Sequence, residues 1–266
     1  MIPLQLRRAI PKPMHSLGCC VSVALLLVGC GPDNQAAEGE ALTVFAAASC
    51  ADWVTDLVKL PSTASLRLQF GPSSGLARQI ADGAPADVFI TAHKRWIEYL
   101  IEADRVDGQP ISFAYNSLVC VALKSTTFEG PAPRNLGSLA DALQTDDRIA
   151  IADESVPAGD YTRQALTSAN LLPTLKPYFV GQDDARSTLR AIAQGQAKVG
   201  FVYASDAQLA SLQSLFTLDP STHETINYWA CAIRGRTQNT QALVFIESLQ
   251  SVRVQDLLQR SGFSPK

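Results

Sequence analysis

The strongest constraint on this chain is an alternation of short apolar runs with helical patterns, repeated from Leu42 to the C-terminal end. LTVFAAA (42–48) reads as a buried strand. The stretch 50–60 follows it, with Trp53, Val54, Leu57 and Val58 on one helical face. LRLQF (66–70) alternates with period two. Leu76, Ala77 and Ile80 then fall at helical spacing, and Gly83 supplies a stop. DVFITA (87–92) and KRWIEYLIEA (94–103) repeat the pair. NSLVCVAL (116–123), RIAIA (148–152), a helix over 161–169, PYFVG (177–181), a helix over 186–194 and VGFVYA (199–204) continue it. The stretch 241–259 reads as one or two amphipathic helices. STTFEGPAPRNLGSLA (125–140) reads as a turn-rich surface excursion. Such alternation predicts an α/β fold with mostly parallel sheets flanked by helices.

The N-terminus points to export. Arg7, Arg8 and Lys12 precede an apolar or small run over 17–29, interrupted only by Ser22. That run is too short for a permanent bilayer span and fits the core of a signal peptide. Leu27-Val28-Gly29-Cys30 resembles the lipobox of bacterial lipoproteins, which places cleavage before Cys30 and a lipid on its thiol. Residues 1–29 are therefore expected to be a lipoprotein signal peptide. Residues 30–40, polar and without core-forming side chains, are expected to be a tether. The segment removed holds three cations and no acid, so the formal charge falls from −3 to −6. No long basic run favours a nucleic-acid partner. Cys50, Cys120 and Cys231 remain for the fold. An exported setting permits a Cys120–Cys231 disulfide, which is expected if their strands are antiparallel neighbours. The alternative is two buried free thiols.

Four strand ends run into small or hydroxylated residues just before a helix. They are Ala46-Ala47-Ala48-Ser49, Gly71-Pro72-Ser73-Ser74-Gly75, Val156-Pro157-Ala158-Gly159 and Asp184-Ala185-Arg186. A helix start exposes unpaired N–H groups at the positive end of the peptide dipole, and small residues let an anion approach them. Any one of these motifs alone is explained by ordinary helix capping. Four in one exported chain suggest an anion cage built without a formal cation, at the carboxyl ends of the strands.

FAAAS (45–49), SSGLARQIADGAPADVFITA (73–92), NSLVCVA (116–122), ADESVPAGDYTRQAL (152–166) and VGFVYASDA (199–207) resemble the periplasmic molybdate-binding proteins of ABC import systems. The likeness runs from about Leu42 to the end of the chain, with the motifs in the family's order. It implies two lobes of the type II periplasmic-binding-protein kind with a ligand cleft between them. Lobe I would take residues 41–115 plus 233–266, and lobe II residues 116–232. It implies a monomeric carrier of molybdate, and of tungstate, that serves an ABC permease from the periplasm or cell surface. No catalysis and no cofactor are implied, and molybdenum would be held only through its oxygens. Carried over residue by residue, the oxyanion contacts fall on Ser49, Ser73, Ala158, Ala185 and Tyr203. Ala185 stands where the family often carries valine. Cys50 replaces the usual leucine, and Pro72 is a second departure.

The chemistry agrees. Molybdate at neutral pH is a dianion whose oxygens all accept, so a site of donors alone suits it. Phosphate keeps a proton and would gain from an acceptor. Sulfate makes the same demand as molybdate and differs mainly in size, so it remains an alternative ligand. Asp184 is expected to cap a helix, facing away from the anion, and Asp52 to be first-turn helix charge. A rival of another class exists. Gly71-Pro72-Ser73-Ser74-Gly75 matches the G-x-S-x-G elbow of serine hydrolases, with His223 and one of Asp153, Asp183 or Asp219 to complete a triad. Too few strands precede Ser73 for that fold, and His223 lies in a polar loop. His93, before an amphipathic helix, is expected to cap it or face solvent.

Overall fold

A computed structural model describes residues 41–59, 65–208 and 212–266. The expected signal peptide (1–29), the lipidation site Cys30 and the tether (30–40) lie outside the described residues. Eleven strands and ten helices follow in order among the described residues. The first part holds β1 (Leu42–Ala47), α1 (Ala51–Val58), β2 (Leu66–Gly71), α2 (Ser73–Ala81), β3 (Val88–Thr91), α3 (Lys94–Glu102) and β4 (Val106–Tyr115). The middle holds β5 (Leu118–Leu123), α4 (Leu136–Ala142), β6 (Ile149–Ala152), α5 (Pro157–Ser168), α6 (Leu172–Leu175), β7 (Phe179–Gln182), α7 (Ala185–Ala193), β8 (Val199–Tyr203), α8 (Ala204–Ala207) and β9 (Leu212–Thr217). The chain ends with β10 (Asn227–Ile233), α9 (Asn239–Ser248), α10 (Val252–Arg260) and β11 (Ser264–Pro265).

These strands make two sheets, one in each of two lobes. One runs β11-β4-β10-β3-β1-β2 and the other β7-β6-β8-β5-β9. The apolar runs are buried along their length, as in β1, β3, β6 and β8, which suits strands covered on both faces. The α/β class holds, but the sheets are mixed where alternation predicts mostly parallel ones. Each has a parallel half, β2-β1-β3 and β7-β6-β8, built by strand–helix–strand crossovers. Each is completed by antiparallel strands that carry the chain between the sheets, β4 and β10 on one side and β5 and β9 on the other. The excursion at 125–140 also ends in structure, because Asn135 and Ser138 form a reciprocal capping box that starts α4.

One apolar cluster runs through both sheets, with Trp53 stacked at a tilt on Phe113, ring centroids 5.7 Å apart. Each sheet carries a smaller cluster on its other face. The expected Cys120–Cys231 disulfide does not form. Cys120 lies on β5, opposite Phe201 and Phe216, and Cys231 lies on β10, opposite Phe89. Their strands belong to different sheets and their side chains to different clusters, so the antiparallel adjacency a bridge requires is missing. All three cysteines of the fold are buried free thiols, and burial pushes each thiol's pKa well up.

Candidate functional site

The carboxyl ends of six strands converge on one niche with about 230 Å³ of atom-free space. Ala47, Ala48 and Ser49 come from the end of β1, Gly71, Pro72 and Ser73 from that of β2, and Ala92 from that of β3. From the other sheet come Val156, Pro157 and Ala158 after β6, Asp184 and Ala185 after β7, and Tyr203 at the end of β8. All five residues named as oxyanion contacts, Ser49, Ser73, Ala158, Ala185 and Tyr203, therefore line the same wall, and all are buried.

The helix starts around the niche differ in how they are capped. The residue before the 3-10 turn Ala48–Cys50 is Ala47, the one before α2 is Pro72, and the one before α5 is Val156. None offers a side-chain hydrogen bond to the turn it opens. Ordinary capping by side chains is thus absent at three of the four starts, where Ser, Asp or Asn would be expected. Their first residues line the niche, and helix starts carry unpaired N–H groups and a positive dipole end. The fourth start is different. Asp184 accepts from Ser187 N–H at 2.7 Å, and Ser187 Oγ donates to it at 3.0 Å, in a capping box. Asp184 caps α7 through Oδ1, as its helix-cap reading expects, but it is among the residues lining the niche rather than turned away from it.

The hydroxyls are placed by long-range contacts. Ser49 Oγ lies 2.7 Å from the Tyr228 hydroxyl on β10, a partner 179 residues away. Ser73 Oγ accepts from Ala92 N–H at 3.4 Å. The Tyr203 hydroxyl is fully buried and has no protein hydrogen-bond partner among the described residues. Burial raises its pKa well above the usual phenol value, so it stays a protonated donor. Such an orphan is costly unless something accepts from it. No Lys or Arg lines the niche.

Gly159, the third residue of α5, explains how the helix start gets so close. A Cβ there would meet the Asp153 carbonyl at 2.1 Å and the Ala152 carbonyl at 2.2 Å. Arg163 then ties the turn down, donating to the Ala152 and Gly159 carbonyls at 2.8 and 2.9 Å.

The hydrolase alternative finds no triad. The carboxylates of Asp153 and Asp219 bind nearby backbone N–H groups, and His223 Nδ1 sits 2.7 Å from the Glu224 carbonyl. Among the described residues, no hydrogen bond joins Ser73 to a histidine. His93 caps α3 through Arg95 N–H, as expected, although it is buried rather than solvated. It stacks on Tyr161, centroids 4.9 Å apart, and its pKa is lowered by burial and by the Arg95 charge. Sequence reasoning missed Ala92 and Tyr228. Ala92 ends the DVFITA strand and was visible as a small residue before a helix. Tyr228 carries no local signal at all.

A family model for bacterial extracellular solute-binding proteins matches residues 34–264. The chain belongs to that family. The molybdate-binding protein ModA of Escherichia coli (strain K12) is 31% identical to this solute-binding protein over 242 residues, 88% of this chain and 92% of its own. Among solved structures, the periplasmic molybdate-binding protein of Azotobacter vinelandii has a TM-score of 0.72 at 21% identity, covering 84% of this chain and 98% of that one. The sulfate-binding protein SubI of Mycobacterium tuberculosis H37Rv has a TM-score of 0.71 at 16% identity, covering 85% and 86%. The two structural likenesses establish the two-lobed fold alone, because proteins named for different anions share it equally well. As a member of a solute-binding family the chain is not an enzyme, which removes the nucleophile reading of Ser73.

Proposed function

We propose that this solute-binding protein captures molybdate, and also tungstate, in the niche between its lobes and delivers it to the permease of an ABC importer. The observation that carries the reading is the set of donors in the wall. Three helix starts lack a capping side chain, and a buried tyrosine hydroxyl is left without a partner beside them. A fully deprotonated tetrahedral dianion is the ligand such a wall suits, since each of its oxygens accepts. The carboxylates near the wall are occupied, Asp184 by its capping box and Asp52 by an ion pair with Arg186. The ModA relative supports molybdate over sulfate, since it exceeds 30% identity along most of both chains.

In this reading Ser49 and Ser73 donate from lobe I, residues 41–115 plus 233–266. Ala158, Ala185 and Tyr203 donate from lobe II, residues 116–232. A ligand touching both lobes favours the closed form, because only that form makes every contact. Cys30 carries the lipid that holds the protein at the membrane.

Calorimetry with molybdate, tungstate, sulfate and phosphate tests the reading. Molybdate and tungstate are expected to bind far more tightly than the other two. Ser73→Ala removes one hydroxyl donor to a charged acceptor, worth roughly 1.5–3 kcal/mol, so its affinity falls about ten- to hundredfold. Sulfate binding as tight as molybdate, or an unchanged Ser73→Ala, overturns the assignment.

A further inference from the structure

Arg186 is the second residue of α7, directly after Ala185, yet it does not line the niche. Its guanidinium reaches out of the second sheet's lobe to Asp52, in the first turn of α1 beside the first sheet. On its other side Nε lies 3.1 Å from Oδ1 of Asp206, on α8, without the alignment of a hydrogen bond. Asp206 is fully buried, and its carboxylate finds no hydrogen-bond partner among the described residues. A second tie crosses elsewhere, between Arg95 of α3 and Asp160 of α5 at 2.8 Å.

We propose that Arg186 is a positioning residue for ligand retention: backed by Asp206 in its own lobe, it latches onto Asp52 of the other and holds the lobes closed over the oxyanion.

An ordinary exposed ion pair would contribute little, because two mobile side chains must be ordered in water. This one differs in three respects. Arg186 is only 19% exposed at its side chain, so its charge is poorly screened. Asp206 restrains the guanidinium from behind, which lowers the entropy lost on reaching Asp52. Burying a carboxylate with so few partners is a costly way to stabilise a fold, and a conformational role accounts for it better. Burial pushes the Asp206 carboxyl up to about 7, with the Arg186 charge pulling the other way. The latch also bears on the site, because Asp52 lies three residues after Ser49 and Arg186 one after Ala185. Joining them draws together the two helix starts that carry those contacts.

The affinity part of this inference rests on the molybdate reading, so the test has two readouts. In the full protein, Asp52→Asn and Arg186→Gln should each release molybdate about three- to tenfold faster, with little change in association. The double variant should be no worse than the poorer single, and Arg186→Lys should recover part of the loss. Without ligand, amide exchange should quicken in the first turns of α1 and α7 in both single variants and stay unchanged in β1 and β6. If molybdate does not bind the unmutated protein, the functional reading fails while the exchange pattern still decides the latch. Unchanged exchange in those turns, or additive effects of the two substitutions on release, overturns it.

Discussion

At the scale of single residues, Tyr203 holds the clearest tension between stability and binding. Its hydroxyl is buried at the niche without a protein partner. Its ring packs edge-on to Tyr228, centroids 6.1 Å apart, and Tyr228 in turn meets Ser49. Tyr203→Phe keeps the ring and removes the orphan. Melting of the ligand-free variant should therefore shift upward, since a buried unsatisfied hydroxyl costs about 1–3 kcal/mol. Molybdate affinity should move the other way, falling about ten- to hundredfold with the lost donor. A variant that melts lower and binds equally well would show that the hydroxyl serves the fold and not the ligand. The opposite signs are what distinguish a binding tyrosine from the half-buried core tyrosine that sits at many strand ends.

At the scale of elements, the start of α5 is set by Gly159. Gly159→Ala would place a methyl carbon 2.1–2.2 Å from two backbone carbonyls, which side-chain motion cannot relieve. The helix must back away from β6. Urea unfolding should report a loss of about 1–3 kcal/mol, the usual cost of overpacking, and molybdate binding should weaken because the Ala158 N–H retreats with the turn. Unchanged stability would mean that the approach is looser than the geometry here. This glycine, VPAG in sequence, shows what could be read beforehand. The strand ends were legible because small residues before a helix admit few uses, and the niche gathers all four of them. The partner of Ser49 was not, because Tyr228 approaches it only through the pairing of β10 with β3 and β4. β4 was equally hidden. It holds Gly108 and Pro110, and β10 accommodates them by a shift of register, Ala230 facing Ile111 and Ala232 facing Asp107. The extra residues bulge, and the strand resumes. The buried thiols were read as partners for want of the sheet order, which puts β5 and β10 in different sheets.

At the scale of the whole molecule, the two lobes and the N-terminal segment have different tasks. In the proposed reading the lobes capture the anion, and a lipid on Cys30, outside the described residues, sets where it is held. Mass spectrometry of protein extracted from the native membrane should find a lipid-modified Cys30 at the mature N-terminus. An unmodified N-terminus at another residue removes the anchor without touching the binding assignment.

The order of strands in the first sheet has a consequence for how such a protein is made. β10 sits between β3 and β4, although more than a hundred residues separate it from either in the chain. Until residue 233 has left the translocation channel, β3 and β4 have no neighbour on their facing edges. The second sheet is built from one uninterrupted stretch, β5 to β9, and can condense during secretion. The first must wait, its apolar edges open, for the returning strand. Loop closure over such a separation is slow. Assembly of the niche, half of it borne by that first sheet, must therefore wait until synthesis of the chain is almost complete.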